Sequence, residues 1–191
     1  MANTCLKLQE AIIKIIETKL KDCVLIQPKV HSDERGFFLE TFHTERYYSL
    51  AGIKLPFVQD NHSRSSKDVL RGLHFQKTKP QGKLVRVVKG QVYDVALDIR
   101  KDSPSFGLWE GVILSEENKN QLWVPPGFAH GFLVLSEIAD FEYKCTDYYD
   151  STDEGSVLWS DPDLQITWPL DNPILSDKDK NLGLNLVEFL K

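Results

Sequence analysis

The chain has 191 residues and a formal net charge of −5, and its residues are 41% hydrophobic and 27% charged. This length is sufficient for one domain with a substantial core, and the negative net charge argues against general binding to nucleic acids or anionic membranes. No apolar stretch approaches the ~20 residues of a membrane-spanning helix, and charged residues interrupt every apolar run in the region where a signal peptide would lie.

The N-terminal region begins with an ambiguous segment. Residues 1–12 are an extension in which the apolar residues could form a short helix, whereas the β-branched run Ile12–Ile16 favours a strand. Strands are predicted at Val24–Val30 and Gly36–Phe42, with the polar segment HSDERG between them as a turn. A short helix is predicted over His43–Gly52, because a glycine commonly closes a helix.

The middle of the chain alternates between apolar strands and short turns. Lys89 and Gly90 separate the segments KLVRVV and QVYDVALDI, which predicts a β-hairpin. Alternation along the second segment predicts two faces. One face carries Tyr93, Val95, Leu97 and Ile99, and the other carries Val92, Asp94, Ala96 and Asp98. Further strands are predicted for LWEGVIL, QLWVP, GFLVL and DFEYKC.

Many short strands with few helices predict an all-β sandwich or barrel, and their rhythm fits a jelly roll. Near the end of the chain, the charged segment SDKDKN precedes a weak helix predicted near residues 184–190. The chain contains neither an internal repeat nor a low-complexity linker. Residues 13–191 are therefore predicted to form a single domain.

Cys5, Cys23 and Cys145 are widely spaced and form no CxxC pair. An odd number of isolated cysteines is typical of reduced thiols in a cytoplasmic protein. The spacing predicts neither a disulfide framework nor a zinc site.

The stretch from Val69 to Val87 places Arg71, His74 and Lys83 among residues typical of a core. Burial of unpaired charge is unfavourable by several kcal/mol. These side chains therefore either point outward or meet an anionic ligand. The pattern predicts an internal basic pocket with a histidine, suited to an anionic small molecule, without naming a reaction.

A metal site is an alternative for the histidines. The segment PPGFAHGF resembles half of the metal-binding signature of cupin jelly rolls, with His130 at a ligand position. In the other half, His74 and Gln76 stand where two histidines are expected, and the acidic ligand is missing. A transition metal takes about three or four ligands. We therefore predict a metal-free pocket in which His74 is either an organic base or a structural histidine.

Two other positions have alternative interpretations. Tyr143 alternates with Phe141 and Cys145, so its ring is either part of the core or a phenol that reaches a cavity. Arg35 and Glu40 lie in the segment DERGFFLE, which is either a solvated turn or part of a ligand site.

Several longer segments carry a family resemblance when they are taken together. In chain order they are DERGFFLETF, QDNHSRS, VLRGLHFQ, QGKLVRVVKGQVYDVALDIR, SPSFGLW, QLWVPPGFAHGF, YKCTDYY, DEGSVLWSDP and LSDKD. With this order and spacing, the chain closely resembles the dTDP-4-dehydrorhamnose 3,5-epimerase family. Any one of these segments is a weak signal, but the whole series is very specific.

The resemblance implies a role for each matching residue. His74 matches the catalytic base and Asp179 matches the carboxylate paired with it. Tyr143 matches the acid on the opposite face of the sugar, and Lys83 matches the lysine that faces the keto oxygen. The substrate-contacting positions are matched by Arg35, Glu40, Gln59, Asp60, Asn61, Arg71, Lys83, His130, Glu154 and Lys178.

The resemblance also implies a homodimeric cupin jelly roll without a metal or other cofactor, acting on a dTDP-4-keto-6-deoxyhexose. The implied reaction is epimerisation at C3 and C5 in dTDP-L-rhamnose biosynthesis. Alternatives are an epimerase that inverts only C3 or only C5, a non-catalytic sugar-nucleotide binding protein, and a metal-dependent cupin enzyme.

Overall fold

The computed structural model describes residues 13–181 and 183–186. Nearly all regular structure in this part consists of short strands, joined by tight turns. The strands are β1 (Ile13–Glu17), β2 (Val24–Pro28), β3 (Val30–Asp33), β4 (Gly36–Leu39), β5 (Gln59–Ser66), β6 (Leu70–Gln76), β7 (Lys83–Lys89), β8 (Gln91–Asp98), β9 (Trp109–Ser115), β10 (Gln121–Val124), β11 (Phe128–Val134), β12 (Ile138–Cys145) and β13 (Glu154–Ser156). The helices are α1 (Thr44–Ala51) and α2 (Asp177–Asn181). Within the described ranges, no helix is sufficiently long and apolar to cross a membrane.

Two antiparallel sheets contain most of the strands. The six-stranded sheet has the order β1-β2-β10-β7-β12-β5, and the five-stranded sheet has the order β13-β6-β11-β8-β9. Strands β3 and β4 form a separate two-stranded hairpin. The predicted all-β jelly roll is confirmed, and its inner faces supply both the core and the site described below.

The main core consists of apolar side chains from both sheets. Val92 and Phe132 from one sheet and Val85, Leu122 and Phe141 from the other belong to one buried cluster. The Phe132 and Phe141 rings stack with centroids 4.2 Å apart. Burial of one such ring contributes roughly 1.5–3 kcal/mol, so these pairs hold the two sheets together.

The predicted alternation along β8 is confirmed. Val92 and Ala96 face the core between the sheets, whereas Val95 and Leu97 face a second apolar cluster on the other side of the sheet. Both faces are buried, because the C-terminal part of the chain crosses the outer face with residues such as Trp168.

The predicted helix is also confirmed as α1. The His43 side chain accepts a hydrogen bond from the backbone N–H of Arg46, and the helix ends at Gly52, whose φ is 69°. Tyr47 anchors the helix, because its ring is buried and its hydroxyl donates to Gln121 Oε1 at 2.8 Å.

The predicted hairpin at Lys89 and Gly90 is wrong. Strand β7 pairs with β10 and β12, whereas β8 pairs with β9 and β11, so the chain passes from one sheet to the other at this point. Gly90 has a φ of 78°, and a Cβ atom there would lie 2.0 Å from the carbonyl oxygen of Ile138. The glycine marks a tight corner between sheets, which on sequence grounds looks the same as a two-residue hairpin turn.

The predicted strand at Val24–Val30 and the turn that follows it are partly wrong. Strand β2 ends at Pro28, and β3 includes part of the segment predicted as a turn, so that only Glu34 and Arg35 connect β3 to β4. The helix predicted near residues 184–190 and the ambiguous residues 1–12 lie mainly or wholly outside the described residues. Cys23 and Cys145 are free, buried thiols.

Candidate active site

Two adjoining cavities lie between the sheets, with volumes of about 310 Å³ and 150 Å³, and both are lined by His74, Lys83 and Tyr143. Most of the residues predicted to contact the substrate surround these cavities. The larger cavity is also lined by Gln59, Asn61 and Glu154, and the smaller one by Arg71 and His130. Residues from distant parts of the sequence therefore form one polar, internal site.

The two sheets contribute opposite walls of the site. His74 on β6 and His130 on β11 belong to the five-stranded sheet, whereas Lys83 on β7 and Tyr143 on β12 belong to the six-stranded sheet. His74 and Tyr143 line the same cavities, so a ligand there lies between an imidazole on one side and a phenol on the other.

Close packing of β6 against β11 fixes the two histidines. His74 and His130 are directly opposite in the strand register. Gly72 has a φ of 123°, and a Cβ atom there would lie 2.5 Å from Gly131 Cα. The two glycines thus permit a backbone approach that side chains would block, next to a register shift between His130 and Phe132.

His74 forms a hydrogen-bonded pair with Asp179. The distance from His74 Nε2 to Asp179 Oδ1 is 2.5 Å, and Asp179 is only 4% exposed. Burial raises the pKa of the Asp179 carboxyl, but the hydrogen bond and charge of His74, together with a hydrogen bond from Ser176, outweigh burial and lower it overall. The carboxylate therefore remains ionised and supports a positive charge on His74.

A second pair of the same kind joins His130 and Asp94. His130 Nε2 lies 2.9 Å from Asp94 Oδ1, and Asp94 is fully buried. Because Nε2 faces a carboxylate in both His74 and His130, Nδ1 is the ring nitrogen left for a ligand in each. The sequence places Asp94 on one face of β8 with Val92 and Ala96, but Asp94 was not predicted as a site residue. An acidic side chain on a face with apolar neighbours was the available signal.

Glu154 forms one wall of the larger cavity. It accepts a hydrogen bond from the Tyr149 hydroxyl at 2.7 Å and an ion pair from Lys178, and its Oε1 lies 3.9 Å from His74 Nδ1. Burial raises the pKa of Glu154, but the hydrogen bonds from Lys178 and Tyr149 and the charge of His74 lower it overall. Lys178 thus contacts the cavity wall at Glu154 but does not itself line either cavity.

Lys83 and Tyr143 have pKa values shifted mainly by burial. Burial lowers the pKa of Lys83 more than the negative fields of Cys145, Glu154 and Asp94 raise it. Among the residues that the structure describes, Lys83 forms no ion pair, so its ammonium is available to an anionic ligand. Burial raises the pKa of Tyr143 despite the opposing charge of Arg71. The raised pKa keeps the phenol protonated.

Four residues predicted to contact the substrate do not line the cavities within one chain: Lys178, which pairs with Glu154, and three others. Arg35 lies at the tip of the β3–β4 hairpin, where its side chain is 85% exposed and pairs with Asp33. Glu40 pairs with Arg46 at 3.1 Å. Asp60 points to the opposite face of the six-stranded sheet, because side chains alternate along β5, and it pairs there with Lys144 at 2.9 Å.

Residues 13–181 and 183–186 contain no group of three or more histidine, cysteine, aspartate or glutamate side chains that could hold a metal. At the position where a metal-binding cupin has a second histidine, Gln76 instead donates to the carbonyl of Lys79 at 2.7 Å and accepts from the Asp150 N–H at 2.7 Å. Its side chain thus fastens two loops at the cavity rim.

The arrangement is suited to proton transfer next to a carbonyl group. A histidine backed by a carboxylate removes a proton, a cation stabilises the resulting oxyanion, and a protonated phenol on the other side returns a proton. These groups are His74 with Asp179, Lys83 and Tyr143, respectively.

Comparisons with known proteins identify the family to which the chain is similar. Residues 17–185 match the family model described as dTDP-4-dehydrorhamnose 3,5-epimerase. The dTDP-4-dehydrorhamnose 3,5-epimerase of Shigella flexneri is 55% identical over 170 residues, which are 88% of this chain and 94% of that protein. The protein of the same name from Escherichia coli is 52% identical, over 89% of this chain and 93% of its own.

A solved structure has the same fold at similar identity. The dTDP-6-deoxy-D-glucose-3,5-epimerase of Legionella pneumophila, in complex with dTDP-4-keto-L-rhamnose, is 56% identical with a TM-score of 0.88, covering 92% of this chain and 93% of that one. With a family match over most of its length and relatives above half identity, the chain belongs to the dTDP-4-dehydrorhamnose 3,5-epimerase family.

Proposed function

We propose that this protein is an isomerase that inverts C3 and C5 of dTDP-4-dehydro-6-deoxy-D-glucose to give dTDP-4-dehydro-L-rhamnose, in dTDP-L-rhamnose biosynthesis. Membership of the family supports the substrate and the reaction. One observation carries the mechanism: His74 and Tyr143 line the same cavities from opposite sheets. Inversion needs this arrangement, because a proton must leave one face of the carbon and arrive at the other.

The first step is removal of a proton by His74. In a 4-keto sugar, C3 and C5 both flank the carbonyl group, so their protons are acidic enough for a positioned base. Nδ1 of His74 is the nitrogen that accepts the proton, because Nε2 is engaged with Asp179. The buried carboxylate holds the ring in place and stabilises the imidazolium that forms.

The second step is stabilisation of the enolate. Removal of either proton moves negative charge to the C4 oxygen, and Lys83 supplies a positive donor without a competing ion pair among the described residues. Its interaction is stronger with the enolate than with the neutral ketone, and such a difference is what lowers a barrier. Since both carbons flank one carbonyl, a single lysine serves both enolates.

The third step is delivery of a proton from the other face by Tyr143, which we assign to C5. The raised pKa of its phenol keeps that proton in place until the enolate forms. We assign the nucleotide diphosphate to the basic groups at the cavity, of which Arg71 is one, because guanidinium groups bind phosphate oxygens with paired hydrogen bonds. We further propose that the reaction takes place in the cytoplasm and uses no metal or other cofactor.

We also propose that the protein acts as a homodimer. The β3–β4 hairpin is separate from both sheets, and in it Phe37 is 60% exposed and Phe38 is 71% exposed. Neighbouring exposed aromatic rings often mark an interface between proteins. Strand β5, which carries Gln59 and Asn61 to the cavity, is an edge strand. A hairpin from a second copy packed near this edge would bring Arg35 to the site from which it is absent within one chain.

Phe38→Asp is expected to weaken the dimer by at least about 30-fold, as is typical of a buried aromatic hot spot. The measurement is the dissociation constant from sedimentation velocity. Leu108→Asp, at a residue 47% exposed outside the hairpin, is the matched control and is expected to leave association unchanged. A parent protein that stays monomeric at micromolar concentration would contradict the dimer.

Mixing tests whether the hairpin of one copy serves the site of the other. Arg35→Ala and His74→Ala dimers are each expected to be weakly active, while subunit exchange between them should restore activity, because a hybrid contains one site with both residues. If the mixture is no more active than the separate variants, Arg35 acts at the site of its own chain or at no site.

Lys83 is expected to produce a basic limb in the pH profile of kcat. Because burial lowers its pKa, the ammonium loses its proton at a lower pH than an ordinary lysine, and kcat falls as the pH rises through that value. Tyr143, whose pKa is raised, loses its proton only at higher pH. Lys83→Arg keeps its charge throughout, so its remaining activity should lack this limb; an identical limb in the variant would assign it to another group.

The proposed reaction is tested by incubating the purified protein with dTDP-4-dehydro-6-deoxy-D-glucose and determining the configuration of the sugar by NMR. Inversion at both C3 and C5 is the expected result. Inversion at only one carbon would establish a single-centre epimerase, and recovery of unchanged sugar would contradict an epimerase of either kind.

A further inference from the structure

We infer that Ser176 is a positioning residue for catalysis, which sets the Asp179 carboxylate so that one oxygen faces His74. This inference rests on the proposed function for its kinetic consequence. The structural basis is a continuous chain of hydrogen bonds, Ser176–Asp179–His74. The Ser176 hydroxyl donates to Asp179 Oδ2 at 2.8 Å, and the other carboxylate oxygen, Oδ1, lies 2.5 Å from His74 Nε2.

The same hydroxyl holds the backbone of Asp179. Ser176 Oγ accepts a hydrogen bond from the Asp179 N–H at 3.1 Å, which is the arrangement of an N-cap residue at the start of a helix. Side chain and backbone of Asp179 are thus held by one group. Rotation of the carboxylate away from His74 would break its hydrogen bond from Ser176 as well as its pairing with His74.

Helix α2 cannot hold Asp179 by itself. It spans only Asp177–Asn181, and isolated helices shorter than roughly 12–15 residues are marginal in water. The segment before it is anchored at Ile174, whose N–H donates to the Asp68 carbonyl at 2.8 Å and whose carbonyl accepts from the Leu70 N–H at 2.9 Å. Leu70 begins β6, the strand that carries His74. Ile174 therefore fixes the segment before α2 to this strand, and Ser176, two residues later, fixes Asp179.

Several charged groups surround the Asp179 carboxylate, and removal of the Ser176 hydroxyl would leave all of them in place. His74 faces Asp179 from β6, Lys178 acts on it from the same helix, and Glu154 on β13 faces both His74 and Lys178. Ser176 is the neutral donor in this set. Its loss leaves every formal charge in place and removes one hydrogen bond that favours the ionised carboxylate.

Ser176→Ala is expected to lower kcat about 10-fold, which is typical of losing a hydrogen bond to a charged group, and to change KM less than about 2-fold. The Asp179 carboxyl should titrate at a higher pH than in the parent, because one of the hydrogen bonds that favour its ionised form is lost. Ser176→Thr keeps a capping hydroxyl and should retain most of the activity. Asn181→Ala, which removes only a hydrogen bond to the Asp177 carbonyl in the same helix, should leave kcat and the Asp179 titration unchanged.

A double-mutant cycle tests whether Ser176 acts through Asp179. If it does, adding Ser176→Ala to Asp179→Asn lowers kcat no further, since interacting residues are not additive. An equal loss in both backgrounds would show that Ser176 only stabilises the helix and would overturn the inference.

Titration of the Asp179 carboxyl by carbon NMR, assigned with Asp179→Asn, requires no substrate and separates this inference from the proposed function. A parent protein that converts no sugar contradicts the proposed reaction. A higher pKa of Asp179 in Ser176→Ala, with no change in Asn181→Ala, supports the positioning role whatever the sugar assay gives. An unchanged Asp179 titration in Ser176→Ala overturns it.

Discussion

The His74→Ala enzyme is expected to lose proton exchange at both C3 and C5, by roughly 10²–10⁴-fold relative to the parent. The reason is that the imidazole takes the proton directly. In its absence, Asp179 is paired with no base that could accept the proton. The measurement is the rate at which solvent deuterium enters each carbon of the sugar, followed by NMR.

Two variants make this result specific. His62→Ala removes a histidine on the opposite face of the six-stranded sheet, near Asp140 and Glu142, and should exchange at the parent rate. Asp179→Asn should retain a small activity, because the carboxylate orients and charges the base without accepting the proton. Near-normal deuterium uptake by His74→Ala would show that another group is the base.

The Tyr143→Phe enzyme is expected to separate exchange from inversion. The change keeps the ring and its packing against Phe141 but removes the acidic proton on that side of the cavity. The enolate still forms, stabilised by Lys83, and His74 returns a proton to the face from which it came. Deuterium should therefore enter without inversion, at least at C5, which we take to be the carbon that this tyrosine serves.

NMR of the sugar in deuterated water measures exchange and configuration separately at each carbon of the Tyr143→Phe product. Tyr148→Phe is a suitable control, because this side chain is 66% exposed, and it should invert both centres like the parent. If Tyr143→Phe inverts both centres at close to the parent rate, Tyr143 is a core aromatic and the acid lies elsewhere.

The parts of the fold that follow apolar periodicity were predictable from the sequence. Strand β8 is an example, since its alternation placed Val92 and Val95 on opposite faces as observed. Helix α1 is another, because Gly52 provides the left-handed residue that ends it. In both elements, local sequence and tertiary packing favour the same structure.

Elements whose inward side chains are polar were not predicted as regular structure. Strand β5, Gln59–Ser66, contains only polar residues, because its inward positions, such as Gln59 and Asn61, face a ligand cavity. Helix α2 was treated as a charged segment for the same reason. The functional wall of a jelly roll does not have the alternating apolar pattern by which strands are recognised.

The pairing of site residues was predictable only through the family resemblance. Asp179 lies 105 positions from His74, and the chain contains 28 acidic residues from which spacing cannot select one. Asp94 was missed as the partner of His130, since the family motifs that identified the histidine do not point to a carboxylate on another strand. Such pairs depend on sheet register, which a sequence alone does not specify.

Deuterium exchange and inversion by the unmodified protein are the decisive observations for enolisation of the sugar in this cavity. The protein is incubated with dTDP-4-dehydro-6-deoxy-D-glucose in deuterated water, and the time course at C3 and C5 is followed by NMR. We expect one deuterium at each carbon, with both centres inverted. Sugar that keeps both original protons would contradict base-catalysed enolisation in this cavity.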